Sequence, residues 1–163
     1  MLAVIMGYWI EEASPSHLAA LIEFMDRELR KDYFMPRRQL EHVLTGRYHM
    51  TYLAVEKHHI LGVAIISRRR RSLVNLLVAA CERKRGLGSA LLRACRCEIV
   101  RAKIDVTSGD PRDFYASRGY RRTGEFNRKR NIEIMCVDID SPPEHFSATF
   151  SPDSRGSPTL CWL

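Results

Sequence analysis

The chain has 163 residues, of which 45% are apolar and 28% are charged, and it carries a formal net charge of +7. This length and composition are those of one globular domain with enough chain for a core. No stretch approaches the roughly 20 consecutive apolar residues that span a bilayer, which excludes a membrane-spanning helix and a membrane partner. The positive charge favours an anionic ligand, although most arginines are expected to lie on a solvated surface.

The number and spacing of the cysteines favour a reducing cellular compartment and argue against a structural metal site. Their odd number, five, and the lack of a secretory segment favour free thiols in a reducing cytoplasm. Cys95 and Cys97 lie two residues apart on a predicted helix, so their side chains are expected to face different directions. No other cysteine or histidine has the spacing of zinc ligands, and we predict no structural metal.

The first third of the chain predicts a strand, two helices and a hairpin. Residues 8–13 form the first strand, and apolar residues then recur at helical spacing: Leu18, Leu21, Ile22, Met25 and Leu29. Residues 37–45, between Pro36 and Gly46, predict a second short helix. Strands at residues 50–56 and 60–67 flank a turn at Lys57, His58 and His59, whose histidines are expected to be exposed turn residues.

Four consecutive arginines occupy residues 68–71, between two predicted strands. A solvated loop is the favoured interpretation. Contact with a polyanion such as RNA or DNA is the alternative, and it would be sensitive to salt. No aromatic residue alternates with these arginines, so a stacking platform for single strands is not supported.

A βαβ unit occupies the middle of the chain. Residues 73–79 are nearly all apolar and predict a strand buried on both faces, followed by a loop, a helix at residues 86–101 and a strand at residues 103–107. The loop runs through Arg83, Lys84, Arg85, Gly86, Leu87 and Gly88. Unpaired backbone N–H groups at the positive end of a helix bind anions, so we predict that this loop binds the pyrophosphate of a nucleotide cofactor. A tight turn without a ligand is the alternative.

The last third predicts a short helix, an antiparallel strand pair and a tail. The helix covers residues 112–118, with Asp110 as N-cap and Pro111 at its first position, and the strands cover residues 120–126 and 131–139. From Ser141 onward the chain holds four of its seven prolines and five serines, which predicts a poorly ordered tail.

Two motifs carry a family resemblance. Arg83 to Gly88 is similar to a pyrophosphate signature that reads Arg or Gln, two residues, Gly, one residue, then Gly or Ala. Phe114-Tyr115-Ala116-Ser117-Arg118-Gly119-Tyr120, about 30 residues later, is similar to a second signature of the same family. With the order of elements, these motifs make residues 8–138 resemble the GNAT superfamily of acetyl-CoA-dependent N-acyltransferases. Around the loop the sequence is most similar to bacterial ribosomal-protein N-terminal acetyltransferases.

The resemblance implies an α/β (α+β) fold. Its central sheet is mixed but mostly antiparallel, with six to seven strands splayed between strands 4 and 5 and about four helices around it. Residues 1–140 would form this domain and residues 141–163 the tail. Acetyl-CoA would bind along the backbone of Leu76, Leu77 and Val78 and on the loop, including Ser89. Val78 N–H would polarise the acetyl carbonyl.

The implied reaction is direct attack of a primary amine on acetyl-CoA in a ternary complex. By the resemblance, Tyr115 is the acid that protonates the leaving sulfur, the alternative being an ordinary half-buried tyrosine. Asp105 is the candidate base, the alternative being a solvent-facing strand carboxylate, and Glu41 and Glu56 are weaker candidates. Family members usually carry an Asn before the short helix, and residues 108–111 (Ser-Gly-Asp-Pro) replace it here.

The sequence leaves the acceptor open among peptides, small amines and nucleic-acid-linked amines. One alternative function is a basic GNAT enzyme acting on aminoacyl-tRNA or a modified base, and another is a non-catalytic acyl-CoA-binding module. A homodimer is compatible with these features.

Overall fold

Seven strands and four α-helices make up the described part of the chain, residues 7–29, 37–45, 47–104 and 109–137 of a computed structural model. The strands are β1 (Trp9–Glu12), β2 (His49–Glu56), β3 (His59–Ser67), β4 (Leu73–Val78), β5 (Ile99–Lys103), β6 (Tyr120–Asn127) and β7 (Ile132–Val137). The helices are α1 (Leu18–Glu28), α2 (Arg37–Thr45), α3 (Leu87–Cys95) and α4 (Arg112–Ala116). The predicted tail, residues 141–163, lies outside the described residues.

The strands form two antiparallel sheets that separate between β4 and β5. One sheet has the order β1-β2-β3-β4 and the other β5-β7-β6. Within the described ranges, a single parallel bridge, Ser72 to Ile99, joins the two sheets at the start of β4 and β5. Beyond the bridge the two strands diverge. The predicted splay between strands 4 and 5 is confirmed, and it leaves an opening along the second half of β4.

Core residues lie on both faces of the four-stranded sheet. Ala64 and Leu76, which are cross-strand partners, belong to one core cluster with α3 and α4. The next pair, Val63 and Leu77, belongs to a second cluster with α1 and α2. Because side chains alternate between faces along a strand, a strand covered on both sides becomes an almost continuous apolar run. This confirms the prediction that β4 is buried on both faces.

The β2–β3 turn is tighter than predicted. Lys57 and His58 have φ values of +46° and +70°, the conformation of a two-residue hairpin turn whose twist matches the flanking strands. His59 is therefore the first residue of β3. All three side chains are exposed, which confirms the predicted exposure of both histidines, although only His58 is a turn residue.

The predicted boundary between α3 and β5 is wrong by about six residues. The helix ends at Cys95, because Arg96 adopts a left-handed conformation with φ +48°. Residues 99–103, predicted to lie in the helix or at the start of the strand, form β5. Only Lys103 is common to the predicted and observed strands.

The same helix end brings Cys95 and Cys97 together, so the prediction that they face different directions is also wrong. Both thiols are buried in the core cluster beside α3. Cys95 Sγ donates to the Leu92 carbonyl at 3.4 Å, and Cys97 Sγ shares a hydrogen bond of 2.9 Å with Tyr120 Oη. The interaction of the two thiols raises the pKa of Cys95 and lowers that of Cys97. The four cysteines in the described ranges are free thiols.

Helix α4 begins where the sequence indicated. The Asp110 carboxylate accepts the Arg112 backbone N–H at 3.0 Å, and it also pairs with the Arg112 guanidinium. This arrangement satisfies a first-turn donor, as expected of a capping carboxylate, although Pro111 occupies the formal cap position. Among the described helices, none is both long and apolar enough to cross a membrane.

Candidate functional site

The open edge of β4 presents backbone groups to the splay. Ala79 N–H donates to the Leu61 carbonyl of β3 at 2.8 Å. Because hydrogen-bonded pairs alternate along an antiparallel ladder, the backbone of Leu77 also faces β3, whereas the N–H and C=O groups of Leu76 and Val78 face the splay. Of the three predicted cofactor-pairing residues, these two have the geometry to pair with an extended ligand.

The loop after β4 curves into the start of α3. Lys84 and Gly86 have left-handed φ values of +68° and +80°, and a Cβ on Gly86 would meet no atom within 4 Å. The first N–H groups of α3, on residues 87–89, have no acceptor within the helix. They lie at its positive end, so the loop and helix start together have the geometry of an anion-binding site.

The three cations of the loop differ in their partners. The Arg85 guanidinium donates to Glu56 Oε1 at 3.0 Å and to the Glu82 carboxylate, and these hydrogen bonds raise the pKa of Arg85. Arg85 therefore connects the loop to β2, and its charge is balanced. Arg83 and Lys84 are exposed and have no carboxylate partner in the part of the chain that the structure describes. Glu56, a weaker candidate for the base, is the ion-pair partner of Arg85.

The two sequence signatures are in contact. A Cβ on Gly88 would lie 3.2 Å from Cζ of Phe114 and 3.9 Å from Cγ2 of Val78. The missing side chain at Gly88 thus lets the start of α3 pack closely against the end of β4 and against α4. Contact between these motifs, far apart in the chain, places the loop, the open strand edge and α4 in one site.

Arg118 is a site residue that the sequence interpretation did not single out. Its guanidinium carbon lies 3.7 Å from the centroid of the Phe114 ring, and its Nε and Nη2 donate to Ser89 Oγ at 2.9 and 2.6 Å. Burial lowers the pKa of Arg118, and the nearby Arg93 adds to this effect. The Ser89 hydroxyl, predicted to bind cofactor, is therefore held by Arg118. The position of Arg118 inside the second signature could have pointed to it.

Tyr115 is fully buried between two aromatic rings. It packs edge-on to Phe114 at 5.3 Å and to Tyr120 at 5.7 Å between ring centroids. It belongs to the same core cluster as Val78 and Leu87.

The candidate base Asp105 lies outside the described residues. The described strand β5 ends two residues before it, at Lys103. Just after β5, Ile104 N–H donates to the Asn131 carbonyl at 2.9 Å, and the Asn131 side-chain amide donates to the Ile104 carbonyl at 2.8 Å. The other weak candidate, Glu41, is exposed on α2.

A buried carboxylate in the second sheet was also missed. Glu133 accepts from Arg112 and from Arg122, each at 3.1 Å, and its side chain is only 9% exposed. The bonds link the start of α4 to β6 and β7. Within the described ranges, no group of three potential metal-ligating side chains comes together.

Two of the four arginines at residues 68–71 make hydrogen bonds or ion pairs within the protein. Arg68 donates to the His49 carbonyl at 3.1 Å. Arg71 pairs with Glu98 at 3.0 Å and donates to the Cys95 and Arg96 carbonyls. Arg69 and Arg70 are the two members that have no protein partner in the described ranges.

Solved structures of other proteins share this fold. The ribosomal-protein-S18-alanine N-acetyltransferase from Escherichia coli is 16% identical and has a TM-score of 0.61, covering 85% of this chain and 97% of its own. The PaiA N-acetyltransferase from Thermoplasma acidophilum, solved with coenzyme A, is 14% identical with a TM-score of 0.59, covering 81% and 99%. The loading GNATL domain of CurA from Lyngbya majuscula is 11% identical with a TM-score of 0.61, covering 81% and 98%.

The family follows from the sequence match. A search of curated proteins finds no match to this chain. The family model described as "Acetyltransferase (GNAT) domain" matches residues 13–137, which include both signatures, both sheets from β2 onward and all four helices. The chain therefore belongs to the GNAT acetyltransferase family.

Proposed function

We propose that the protein is an N-acetyltransferase that moves an acetyl group from acetyl-CoA to a primary amine by direct attack in a ternary complex. The observation that carries this proposal is the contact between the two signatures, Gly88 against Phe114, beside the open edge of β4. Through this contact, the loop after β4 and helix α4, which carries the buried Tyr115, lie beside the backbone groups of β4 that face the splay.

The residues around the opening would bind and orient the cofactor. Arg83 and Lys84 supply charge for the phosphates, and the N–H groups of residues 87–89 supply hydrogen bonds. The backbone of Leu76 and Val78 would pair with the pantetheine amides as an added strand would. Bound acetyl-CoA supplies a thioester that is reactive towards amines. Val78 N–H, which faces the splay, is the group that would polarise its carbonyl.

Tyr115 is the proposed acid. A phenol has a reference pKa of about 10, so it is protonated at neutral pH and can donate to a developing thiolate. Its burial in the core cluster that also holds Val78 supports this role, because a donor in a dry site acts more strongly than one in water.

Asp105 remains the proposed base, and its weakness would favour a weakly basic acceptor. Freeing a lysine amine with a pKa of about 10.4 at pH 7 costs about 4.6 kcal/mol, whereas an α-amine with a pKa of about 7.8 costs about 1 kcal/mol. A carboxylate that acts directly or through water therefore suits an α-amine better than a lysine side chain.

Release of free thiol from acetyl-CoA tests the proposal. The purified full chain is incubated with peptides that have free α-amines, with small amines and with aminoacyl-tRNA. We expect turnover with at least one class and little turnover with acetyl-CoA alone. If calorimetry detects acetyl-CoA binding but no amine is turned over, the non-catalytic acyl-CoA-binding alternative is correct instead.

A further inference from the structure

The outer face of the β5-β7-β6 sheet carries a basic cavity that the catalytic proposal does not use. Its volume is about 700 Å³, within the range of ligand sites, and we call it the outer pocket. Its lining includes Arg101, Lys103, Glu125, Arg130, Ile132 and Ile134.

Strand register places this pocket on the face opposite α4. Ala102 pairs with Glu133 and Val100 with Met135, and Val100, Ala102 and Met135 belong to the core shared with Tyr115. Cross-strand partners share a face and successive residues alternate, so the pairs Arg101–Ile134 and Lys103–Ile132 lie on the other face. The isoleucines form the floor, and the cations stand beside them.

The outer pocket is adjacent to the splay. Arg101 and Lys103 belong to β5, whose other edge borders the opening beside β4. Neighbouring strands lie about 4.8 Å apart, so a ligand seated on β5 and β7 is about one strand away from that opening. The hydrogen bonds between Ile104 and Asn131 fix the end of β5 to the β6–β7 turn, so the wall of the pocket is held in place.

The excess of positive charge in the outer pocket favours an acidic ligand. Arg101 and Arg130 outnumber the one carboxylate of the lining, Glu125, and no ion pair of either arginine occurs among the described residues. Cations above an apolar floor complement a segment that has both acidic and apolar side chains. The floor is aliphatic. The lining holds one aromatic residue, Phe126, whereas a platform for successive bases needs several stacked rings, which argues against single-strand binding.

We propose that the outer pocket binds the acceptor, and that the acceptor is a peptide with acidic side chains within a few residues of its amine. The role of the peptide as the acceptor rests on the proposed acetyl transfer. Binding of an acidic peptide to the outer pocket can be measured without turnover.

Fluorescence anisotropy of short labelled peptides, with coenzyme A present so that no acetyl group is transferred, tests the inference. The peptides begin Ala-Asp-Glu-Leu, Ala-Asn-Gln-Leu and Ala-Lys-Lys-Leu and carry the dye at the C-terminus. We expect the acidic peptide to bind at least tenfold more tightly than the amide peptide, and its affinity to fall with added salt. Arg101→Glu/Arg130→Glu should abolish this preference, and the milder Arg101→Gln/Arg130→Gln should reduce it.

Arg70→Glu is the matched control, because it reverses one exposed arginine on a turn of the other sheet and should keep the preference. Thermal unfolding checks that each variant is folded. The inference would be overturned if the acidic and amide peptides bound equally well, or if Arg70→Glu lost as much of the preference as the double variants. It would also be overturned if single-stranded RNA displaced the labelled peptide at a lower concentration than the unlabelled acidic peptide does. A preference in binding without acetylation of any peptide contradicts the proposed function alone, and acetylation without a preference contradicts this inference alone.

Discussion

Tyr115 and Tyr120 lie edge-on in the same core, and removal of each hydroxyl should have a different effect. Tyr115→Phe should lower kcat by about 100-fold, within the usual range for loss of a general acid, with little change in the KM for acetyl-CoA. Tyr120 Oη donates to the Cys97 carbonyl at 2.7 Å, so Tyr120→Phe should instead lower the free energy of unfolding by about 1 kcal/mol. Steady-state kinetics and urea unfolding distinguish the two. Equal kcat values for the two variants would show that Tyr115 is not the acid.

Arg118 should act on cofactor binding through Ser89. Arg118→Met keeps an apolar stem against Phe114 but removes both hydrogen bonds to Ser89 Oγ. We expect the Kd and KM for acetyl-CoA to rise about tenfold while kcat changes less than threefold. Ser89→Ala should have a similar effect, and the double variant should be little worse than either because the two residues share one interaction. Fully additive effects in calorimetry would contradict this positioning role.

The start of α3 is the element that depends most on a single backbone conformation. Gly86 has a left-handed φ of +80° with open space around its Cα, so Gly86→Ala should cause strain without a clash. That strain should lower the free energy of unfolding by about 1 kcal/mol, and Gly86→Asn should cost less because Asn tolerates this conformation. Urea unfolding of both variants provides the measurement. An alanine variant as stable as the native chain would show that the loop relaxes to another conformation.

At the level of elements, helical and strand periodicity predicted most of the fold, and its largest error was at one boundary. The apolar stripe on α1 is compatible only with an amphipathic helix, and the continuous apolar run of β4 only with a buried strand. At the end of α3, a left-handed arginine stops the helix, and non-glycine residues adopt this conformation too rarely for it to be predicted from sequence. That error displaced the predicted strand and separated Cys95 from Cys97, which the structure buries in the same core cluster.

Within the site, the sequence predicted the loop and the second signature but not how side chains pair between them. Arg85 with Glu56, and Arg118 with Ser89, are each 29 residues apart in the chain. Such pairs depend on how the elements pack, which no local pattern reports. The buried pairing of Glu133 with Arg112 and Arg122 was missed for the same reason.

At the level of the whole molecule, the described parts of the two sheets and of both core clusters end at Val137, with β7. The family match ends at the same residue. We therefore propose that residues 1–140 form the functional domain and predict that a chain ending at residue 140 keeps its stability and activity. Its melting temperature should stay within about 2 °C of the full chain, since a loss of 1 kcal/mol would shift it by more. Its KM for acetyl-CoA should also be unchanged. A lower melting temperature would mean that the tail packs against the domain, and a change in acceptor kinetics alone would mean that it contributes to the acceptor site.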